Sequence, residues 1–302
     1  MAGGARLVTA QELWCYSLED LGGVGTQAPQ TQGLRINSSG VVVGGSPSIV
    51  PIVALDPGSC ALLQGDNGTQ GAAYDINASG RICGFIHPQT GVQRNPCYWA
   101  SSSSAPVSSW WVGSATQGEA TGISSNNYMC GTKVVSPYSW FWSGSTLDSI
   151  VELDQPNNSQ GWTATSVNSA ATVVGSAFYS PGYYLPIVWT SNVAHTVFTS
   201  HVLGSADGWN NAWHGSAQAI DDAGTLIAYF ENGTSETGAV LKKSGQQCQN
   251  LNETNKKWGY PYSLAGFGSS KYWVVGGSGE STFGTLEYVW SDDWGINEVN
   301  GL

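Results

Sequence analysis

The chain has 302 residues, of which only 10% carry a charge and 40 are glycine. Acidic side chains outnumber Lys and Arg by 21 to 10, so the formal net charge at pH 7 is −11. Phosphate binding needs clustered basic side chains, so this balance argues against a nucleic-acid partner. No apolar run has the length of a bilayer-crossing segment, and we expect no membrane span.

The first predicted element is a strand-like run, ELWCYSLEDLG at Glu12–Gly22, and a nine-residue phrase follows it, INSSGVVVG. The phrase returns along the whole chain as an apolar run, a polar Asn/Ser/Gly/Asp cluster and a second apolar run, which is typical of a β-hairpin. The copies are Ile36–Gly44, Ile76–Gly84, Ile123–Gly131, Val167–Gly175, Ile220–Ala228 and a looser one at Phe267–Gly277. Their spacing of roughly 40–50 residues predicts propeller blades or a solenoid.

A third apolar run follows most copies and ends in Trp, and a fourth run follows the third. These tryptophans are Trp99, Trp142, Trp189 and Trp290, whereas Lys242 stands at this place after the fifth copy. We expect them to pack between blades. Because no stretch shows a helical period, four strands per unit and six units predict an all-β chain. We predict a single domain over residues 1–302, a six-bladed β-propeller with four-stranded antiparallel blades.

Ring closure by a terminal strand completes this predicted fold. Both the N-terminal run Glu12–Gly22 and the C-terminal run WGINEVNGL, Trp294–Leu302, can supply the outer strand of the last blade. We favour the N-terminal run, since a strand threaded into the last blade closes the ring and protects the remaining edges.

The sequence favours a secreted glycoprotein, although MAGGARLVTAQELW lacks the apolar core of a signal peptide and we expect that signal to have been removed. Asn-x-Ser/Thr sequons, the acceptors of N-glycans, occur at Asn37, Asn67, Asn77, Asn157, Asn232 and Asn252. Asn37 and Asn77 also occupy predicted hairpin turns, where Asn has a structural role.

Six cysteines fit an oxidising compartment, and none forms a CxxC pair that would indicate zinc or redox chemistry. They are Cys15, Cys60, Cys83, Cys97, Cys130 and Cys248. Cys83 and Cys97 fall on neighbouring strands of one blade and are candidate disulfide partners. A bridge from Cys15 would lock the N-terminal strand, and the alternative is that some are buried thiols.

The stretch YSLEDLGGVGTQAPQTQGLRINSSGVVVGGS, Tyr16–Ser46, resembles the HAF-type extracellular repeat. That family strings together a "dLG" turn, an "IN..G.VVG" hairpin and a closing aromatic strand, and the pattern recurs over nearly the whole chain. The resemblance implies the repeat architecture.

In general make-up the chain is similar to fungal hetero-Diels–Alderases of tropolone–sesquiterpenoid biosynthesis. Those are small, secreted, glycosylated proteins of secondary metabolism without a hydrolase-type catalytic motif. The similarity lies in an acidic, Trp-rich, disulfide-capable, all-β chain. It implies a pericyclase acting on a terpenoid substrate.

Conventional catalytic machinery is not visible in the sequence. There is no GxSxG elbow, no spaced His/Asp/Glu metal set and no calcium loop, so we expect no metal and no cofactor. His195 and His201 are expected to face solvent. The loop acids Asp66, Glu119, Asp154 and Asp207 are candidates for a glycosidase pair only if they lie close in space, and we interpret them as solvated.

Aromatic residues crowd the connections into the inner strands of the later blades and the loops beside them. We predict a substrate-binding pocket there, against the alternative of ordinary loop packing. The substrate-binding candidates are Trp162, Tyr179, Tyr183, Trp209, Trp213 and Trp258. The candidate hydrogen-bond donors for catalysis are His87, Arg94, His214 and Tyr260.

Two functions fit an aromatic rim without acid–base machinery. The first is a cofactor-independent hetero-Diels–Alder cycloaddition of a quinone methide with a terpene alkene, which needs held geometry and a few hydrogen bonds. The second is a lectin-like propeller whose partner is a glycan. A lectin of this kind should repeat its ligand contacts from blade to blade, and the uneven distribution of aromatics favours the pericyclase.

Overall fold

The computed structural model describes residues 32–45, 51–54, 60–64, 70–87, 94–108, 117–133, 138–144, 150–180, 182–232, 237–251, 260–267, 271–278, 286–291 and 295–299. Within these residues the strands form six four-stranded antiparallel sheets, numbered 1 to 6 here in chain order. In each sheet the spatial order of the strands follows the chain, so every neighbouring pair is a hairpin or a short antiparallel return.

Sheets 1 to 3 are built from the first twelve strands. Sheet 1 contains β1 (Gln32–Ile36), β2 (Val42–Gly45), β3 (Pro51–Ala54) and β4 (Ala61–Leu62). Sheet 2 contains β5 (Gly71–Ile76), β6 (Ile82–Ile86), β7 (Asn95–Trp99) and β8 (Pro106–Val107). Sheet 3 contains β9 (Gly118–Ile123), β10 (Met129–Lys133), β11 (Ser139–Trp142) and β12 (Ile150–Glu152).

Sheets 4 to 6 contain the remaining strands, which are longer on average. Sheet 4 contains β13 (Gly161–Val167), β14 (Val173–Ser180), β15 (Tyr183–Ser191) and β16 (Phe198–Val202). Sheet 5 contains β17 (Trp213–Ile220), β18 (Leu226–Asn232), β19 (Thr237–Lys242) and β20 (Gln249–Asn250). Sheet 6 contains β21 (Tyr260–Phe267), β22 (Lys271–Ser278), β23 (Leu286–Ser291) and β24 (Gly295–Val299).

The repeated Asn of the phrase joins consecutive sheets. Asn77 Oδ1 accepts hydrogen bonds from the backbone N–H groups of Ser79 (3.1 Å) and Arg81 (3.0 Å), which shapes the turn of its own hairpin. Its Nδ2 donates to Ser124 O of the next sheet at 2.9 Å and to Asn127 Oδ1. Asn77 is only 5% exposed, so the structure leaves no room for the predicted glycan on this amide nitrogen.

Equivalent Asn side chains make the same bridges elsewhere. Asn37 Nδ2 donates to Asn77 O at 3.2 Å, and Asn168 Nδ2 donates to Asp221 O at 3.0 Å. Each Oδ1 again accepts from the backbone two and four residues later. The recurrence of the phrase therefore has a structural cause, because each turn is also a bond to the next repeat.

The first strand of each sheet carries a β-bulge at the same place. The strand register skips Leu34, Tyr74, Thr121, Thr165, Gln218 and Tyr262. A bulge re-aims the side chain of the extra residue. Thr121 Oγ1 donates to Ala164 O of the next sheet at 2.8 Å, and Thr165 Oγ1 donates to Ala217 O at 2.7 Å. The bulges therefore add a second bond between neighbouring first strands.

Apolar clusters fill the spaces between consecutive sheets. Among the described residues there are five such clusters, each built from two neighbouring sheets. The aliphatic openers of the phrase lie in three of them: Ile76, Ile123 and Val167 are 4–6% exposed. Four-stranded antiparallel sheets that pack face to face in chain order are the arrangement of β-propeller blades. This part of the prediction is confirmed.

Three of the repeated tryptophans, Trp99, Trp142 and Trp189, lie in these clusters as predicted, and the side chain of Trp290 is outside the described part of the chain. Trp99 Nε1 donates to Gln64 O and Trp189 Nε1 donates to Asp154 O, both at 2.8 Å and both across to the preceding sheet. In sheet 5 Lys242 replaces Trp and pairs with Asp207 at 3.4 Å. Burial opposes ionisation of Asp207, but the Gly204 N–H bond and the charges of His201 and Lys242 outweigh it and hold the pKa of Asp207 below its ordinary value.

Two expectations about the last sheet are corrected. Its fourth strand is β24, from the C-terminal tail, and this is the position that we expected Glu12–Gly22 to take. The N-terminal run lies outside the described residues. The opener of the sixth hairpin is Leu264, which pairs with Val274 as Ile220 pairs with Leu226, whereas Phe267 pairs with Lys271 nearer the turn.

The predicted disulfide between Cys83 and Cys97 is wrong. Gly84 pairs with Cys97 and Cys83 pairs with Tyr98, so the two cysteines are offset by one residue and point to opposite faces of sheet 2. Cys83 packs toward sheet 3 and Cys97 toward sheet 1. The five described cysteines are all thiols: Cys60, Cys83, Cys97, Cys130 and Cys248. Cys15 lies outside the described residues.

Within the part of the chain that the structure describes, no helix has the length and apolar character that a bilayer crossing requires.

Candidate functional site: an aromatic rim on sheets 4 and 5

The predicted site lies at one end of the sheets, where each first strand begins and each second strand ends. We call this end the entry rim, defined on sheets 4 and 5 by Gly161, Ser180, Tyr183 and Trp213. The hairpin turns with their bridging Asn side chains lie at the other end. All described candidates for substrate binding and catalysis belong to the entry end, since they lie at the start of a first or third strand, at the end of a second strand, or in the adjoining connections.

Three predicted residues meet at the rim between sheets 4 and 5. The rings of Tyr179 and Tyr183 contact edge to face at 6.0 Å between centroids, and Tyr183 contacts the His214 imidazole in the same way at 4.9 Å. The side chains are all half-buried. The β14–β15 hairpin contributes both tyrosines, and His214 is the second residue of β17. The structure therefore joins the long hairpin of sheet 4 to the first strand of sheet 5 through aromatic edges.

The two tryptophans of DGWNNAWHG lie beneath this group rather than on it. Trp213 stacks on Phe230 with centroids 4.0 Å apart. Trp209 is only 1% exposed, and its Nε1 donates to Trp213 O at 3.2 Å. Both pack in the cluster between sheets 4 and 5. The prediction of Trp209 as a substrate wall is therefore wrong, because its ring is core, whereas Trp213 is half-buried and packs against that core.

Trp162 is also buried, at 3% exposure, in the cluster between sheets 3 and 4. Tyr138 covers it with centroids 4.8 Å apart, and Tyr179 packs against the same cluster. Tyr179 therefore lies between this cluster and the group formed with Tyr183 and His214.

His87 and Arg94 belong to a second group, centred on Phe85 of sheet 2. The Arg94 guanidinium carbon lies 4.8 Å from the Phe85 ring centroid, and the His87 ring meets Phe85 edge-on at 5.4 Å. Arg94 also forms an ion pair with Glu119, an acid that we expected to be solvated. Since Glu119 neutralises Arg94, the guanidinium is a weaker candidate for a catalytic donor than the sequence indicated.

Burial changes the acidity of several rim hydroxyls. Burial, reinforced by the neighbouring Tyr183, raises the pKa of Tyr179. Burial, with the charge of Glu231 and the proximity of Tyr184, raises the pKa of Tyr229. An ordinary phenol is already protonated at neutral pH, and the raised pKa of each of these two groups moves it further from ionisation. In the group around Phe85, burial and Glu119 raise the pKa of Tyr74 further.

Several predicted residues are not brought into the rim. Trp258 lies outside the described residues, as do Asp66 and the sequons Asn67 and Asn252, and the side chain of Tyr260 is not described. Asp154 lies beside β16, where Ser200 Oγ donates to its Oδ2 at 3.0 Å. His201 is exposed as predicted, with Asp207 as its ion-pair partner. His195 is instead half-buried, with its Nδ1 2.8 Å from Ser191 Oγ.

Sequence reasoning missed two members of the rim. Glu231 lies directly opposite His214 in the β17–β18 register, and Phe230 supplies the ring beneath Trp213. Both follow a repeated phrase by a fixed distance, so the strand register was the signal that would have placed them. Among the described residues no group of three His, Cys, Asp or Glu side chains is arranged to hold a metal ion.

No known family model and no curated protein matches this sequence. Among solved structures, the chain is similar to a prolyl endopeptidase, with 10% identity and a TM-score of 0.48 over 76% of this chain and 36% of that one. It is similar to YCF48 from Cyanidioschyzon merolae with the same identity and TM-score, over 80% of this chain and 78% of that one. The chain thus spans about a third of the prolyl endopeptidase. The fold described above rests on strand pairing and sheet packing.

Proposed function

We propose that the entry rim of sheets 4 and 5 binds a flat apolar molecule with a polarised carbonyl and promotes a hetero-Diels–Alder cycloaddition. The expected partners are a quinone methide and a terpene alkene. The O=C–C=C unit of the quinone methide and the alkene form one C–O and one C–C bond. All atoms are kept, no proton is transferred and no cofactor is consumed. The protein is asked only for geometry and for hydrogen bonds to the carbonyl oxygen.

The observation that supports this proposal most is the run of contacts from Tyr179 through Tyr183 to His214. Flat rings in contact offer apolar walls, and the Tyr179 hydroxyl, which is protonated at neutral pH, is a donor among them. A phenol in a partly water-excluded site donates to a developing oxyanion more effectively than one in water. Catalysis of this kind needs no nucleophile or base.

A glycan-binding function is the second candidate, and one observation favours it. Tyr138 and Tyr184 are 37% and 40% exposed, and aromatic faces at such exposure are surfaces on which sugar rings stack. The rim is uneven, however: an Arg–Glu pair joins sheets 2 and 3 at this end, and sheets 4 and 5 carry aromatics. A repeat-based lectin would present the same contacts on each sheet, so we rank it second.

The cycloaddition test follows the ratio of stereoisomeric adducts formed from a quinone-methide precursor and an alkene, with and without protein. Tyr179→Phe keeps the ring and removes the donor, so we expect a rate loss of roughly 10- to 1000-fold. Tyr183→Ala removes a wall, so we expect weaker binding and lower stereoselectivity. Tyr128→Phe is the matched control, because this hydroxyl lies at the turn end, 3.4 Å from His195 Nε2. An adduct ratio equal to the protein-free reaction, with saturable binding on a glycan array, would replace the pericyclase by the lectin.

Secretion and N-glycosylation belong to the same proposal. Asn157 is exposed in the turn closed by the Ser159 N–H to Pro156 O bond, and it is an accessible sequon. Asn37 is half-buried and its amide nitrogen is already a donor to Asn77 O. We therefore favour Asn157 over the turn sequons as a glycan site.

Six blades closed into a ring complete the proposal, with sheet 6 packing on sheet 1. The equivalent openers support it: in sheets 2, 3 and 4 they are 4–6% exposed because the preceding sheet covers them. Ile36 itself is 64% exposed in this structure, so the proposal rests on the repeat and not on an observed contact. By analogy with these sheets, a preceding sheet should cover Ile36. In a closed ring the sheet that precedes sheet 1 is sheet 6.

Ile36→Asp tests closure of the ring. If sheet 6 covers this side chain, a carboxylate there is desolvated, and we expect the free energy of unfolding to fall by about 2 kcal/mol or more. Val193→Asp is the control, since Val193 is fully exposed and such surface changes stay within ~0.5 kcal/mol. Equal, small effects of the two substitutions in urea unfolding would show that Ile36 faces water and that the ring is open.

A further inference from the structure

The indole N–H of Trp162 is a buried donor without a partner. Its Nε1 has essentially no exposed surface and no hydrogen-bond acceptor in the described part of the chain. Buried polar groups are paired in the large majority of cases, and leaving a donor unpaired costs its full desolvation penalty. Such a group calls for a physical reason beyond packing.

Comparison of the sheets shows that this Trp is not part of the repeat. Trp162 pairs with Ala177 in sheet 4. The equivalent pairs are Gly71 with Ile86, Gly118 with Lys133 and Gly215 with Phe230. Sheet 4 therefore exchanges a glycine facing a large residue for a large residue facing an alanine. The exchange accounts for a large side chain at this position, but it does not require a side chain that carries an N–H.

Trp209 is a matched comparison within the same molecule. It is as buried as Trp162, and its ring lies beside Gly215, with its Cη2 3.1 Å from the place where a Cβ would be. Its Nε1 donates to Trp213 O at 3.2 Å. The fold therefore satisfies the indole N–H of sheet 5 and leaves that of sheet 4 without an acceptor.

A second unpaired donor lies in the same connection, and one movable side chain covers the site. Ser159 Oγ, three residues before Trp162, is also buried without a partner in the described part of the chain. Tyr138 covers Trp162 with its ring tilted by 51°, and it is 37% exposed. The Nζ of Lys133 lies 6.0 Å from the Tyr138 centroid. Rotation of Tyr138 away from Trp162 would uncover part of the indole ring.

We propose that Trp162 Nε1–H donates to the acceptor atom of a rim ligand, and that Tyr138 covers this donor until the ligand enters. The ligand class is a flat apolar molecule with a carbonyl oxygen. This rests on the proposed function, since it assigns the group that polarises the carbonyl of that same site. The sequence predicted that Trp162 binds the substrate with its ring face. In this proposal it binds the ligand through its N–H instead.

The experiment compares two probes of equal size, coumarin, which has a carbonyl acceptor, and naphthalene, which has none. The affinity ratio of coumarin to naphthalene is measured for the full chain, for Trp162→Phe and for Trp209→Phe. We expect the ratio to fall about tenfold in Trp162→Phe, the loss of one hydrogen bond in a desolvated site, and to stay unchanged in Trp209→Phe. The indole N–H resonance of Trp162 in ¹⁵N-Trp-labelled protein should shift with coumarin and not with naphthalene.

Thermal unfolding supplies an independent readout. Both substitutions leave a similar small cavity, but only Trp209→Phe also breaks a hydrogen bond, so the Tm should fall less in Trp162→Phe than in Trp209→Phe. If both variants lose the same Tm and the affinity ratio does not change, a structural water satisfies the indole and the proposal is overturned. That result would leave the adduct-ratio test of the cycloaddition untouched. The converse result is a protein that prefers coumarin as expected and yet leaves the adduct ratio equal to that of the protein-free reaction. That result would overturn the proposed cycloaddition and retain Trp162 Nε1–H as a ligand donor.

Discussion

Replacing Trp189 by Ala is expected to lower the free energy of unfolding by about 3–5 kcal/mol. The ring is completely buried between sheets 3 and 4, in the cluster that contains Phe141 and Leu153. Its Nε1 also donates to Asp154 O of the preceding sheet at 2.8 Å. The substitution therefore removes a large apolar surface and a part-buried hydrogen bond to the preceding sheet. Urea unfolding followed by tryptophan fluorescence measures the change.

Trp189→Phe separates the two contributions to this loss. It keeps most of the apolar ring and removes the hydrogen bond, so we expect a loss of about 1–2 kcal/mol from the lost bond and from the small cavity beside the smaller ring. Val193→Ala, at a fully exposed position of the same sheet, is the control and should change stability by less than ~0.5 kcal/mol. A loss below about 1 kcal/mol for Trp189→Ala would mean that the repeated tryptophans do not hold neighbouring sheets together.

The repeated phrase made the fold predictable, because its chemistry is local. An Asn that shapes a turn and an apolar pair on either side are visible without knowing the register of the strands. The sixth copy shows the limit of this reasoning. Leu264 and Phe267 are both apolar and both precede a polar turn, and only the pairing of Leu264 with Val274 identifies the opener. The hairpin of sheet 6 is longer than the others, and its apolar pattern does not reveal this.

Strand register also explains the error about the cysteines. Neighbouring strands were assigned correctly to Cys83 and Cys97, but a shift of one residue sends a side chain to the other face of a sheet. The shift is fixed by the pairing of Gly84 with Cys97. Neither the spacing of the cysteines nor their strand assignment contains that information.

The sequence predicted which end of the sheets carries the aromatic residues, but not which of those residues are buried. Tyr179, Tyr183 and His214 meet as the sequence indicated, since chain order alone puts them at one end of two neighbouring sheets. Trp209 was placed wrongly because its loop folds back on the sheet: the turn Ser205–Asp207 accepts bonds from Cys248 N and Gln247 Nε2. Those long-range contacts position the indole of Trp209 in the core, and no local sequence pattern predicts them.

The closing glycines of the phrase predict a second large effect, in Gly175→Ala. A Cβ at Gly175 would overlap the backbone carbonyl oxygen of Thr163 on the paired strand, and the same holds for Gly84 with Ala72 O and Gly131 with Glu119 O. A backbone atom cannot move to another rotamer, so the strands must separate or distort. Overpacking in a core costs about 1–3 kcal/mol, and we expect a loss at or above the upper end of that range.

Sheet 5 supplies the matched control for this substitution, because Ala228 already stands at the equivalent position, opposite Ala217. There the close approach lies two residues earlier along the first strand, at Gly215 against Tyr229 O. Ala228→Gly should therefore cost only about 1 kcal/mol, from the freer unfolded backbone and one lost methyl group. Urea unfolding compares the two variants, and amide exchange should show β13–β14 opening first in Gly175→Ala. Equal losses of stability for the two substitutions would contradict this expectation. They would mean that the first two strands of each sheet do not need a glycine at the closing position in order to approach closely.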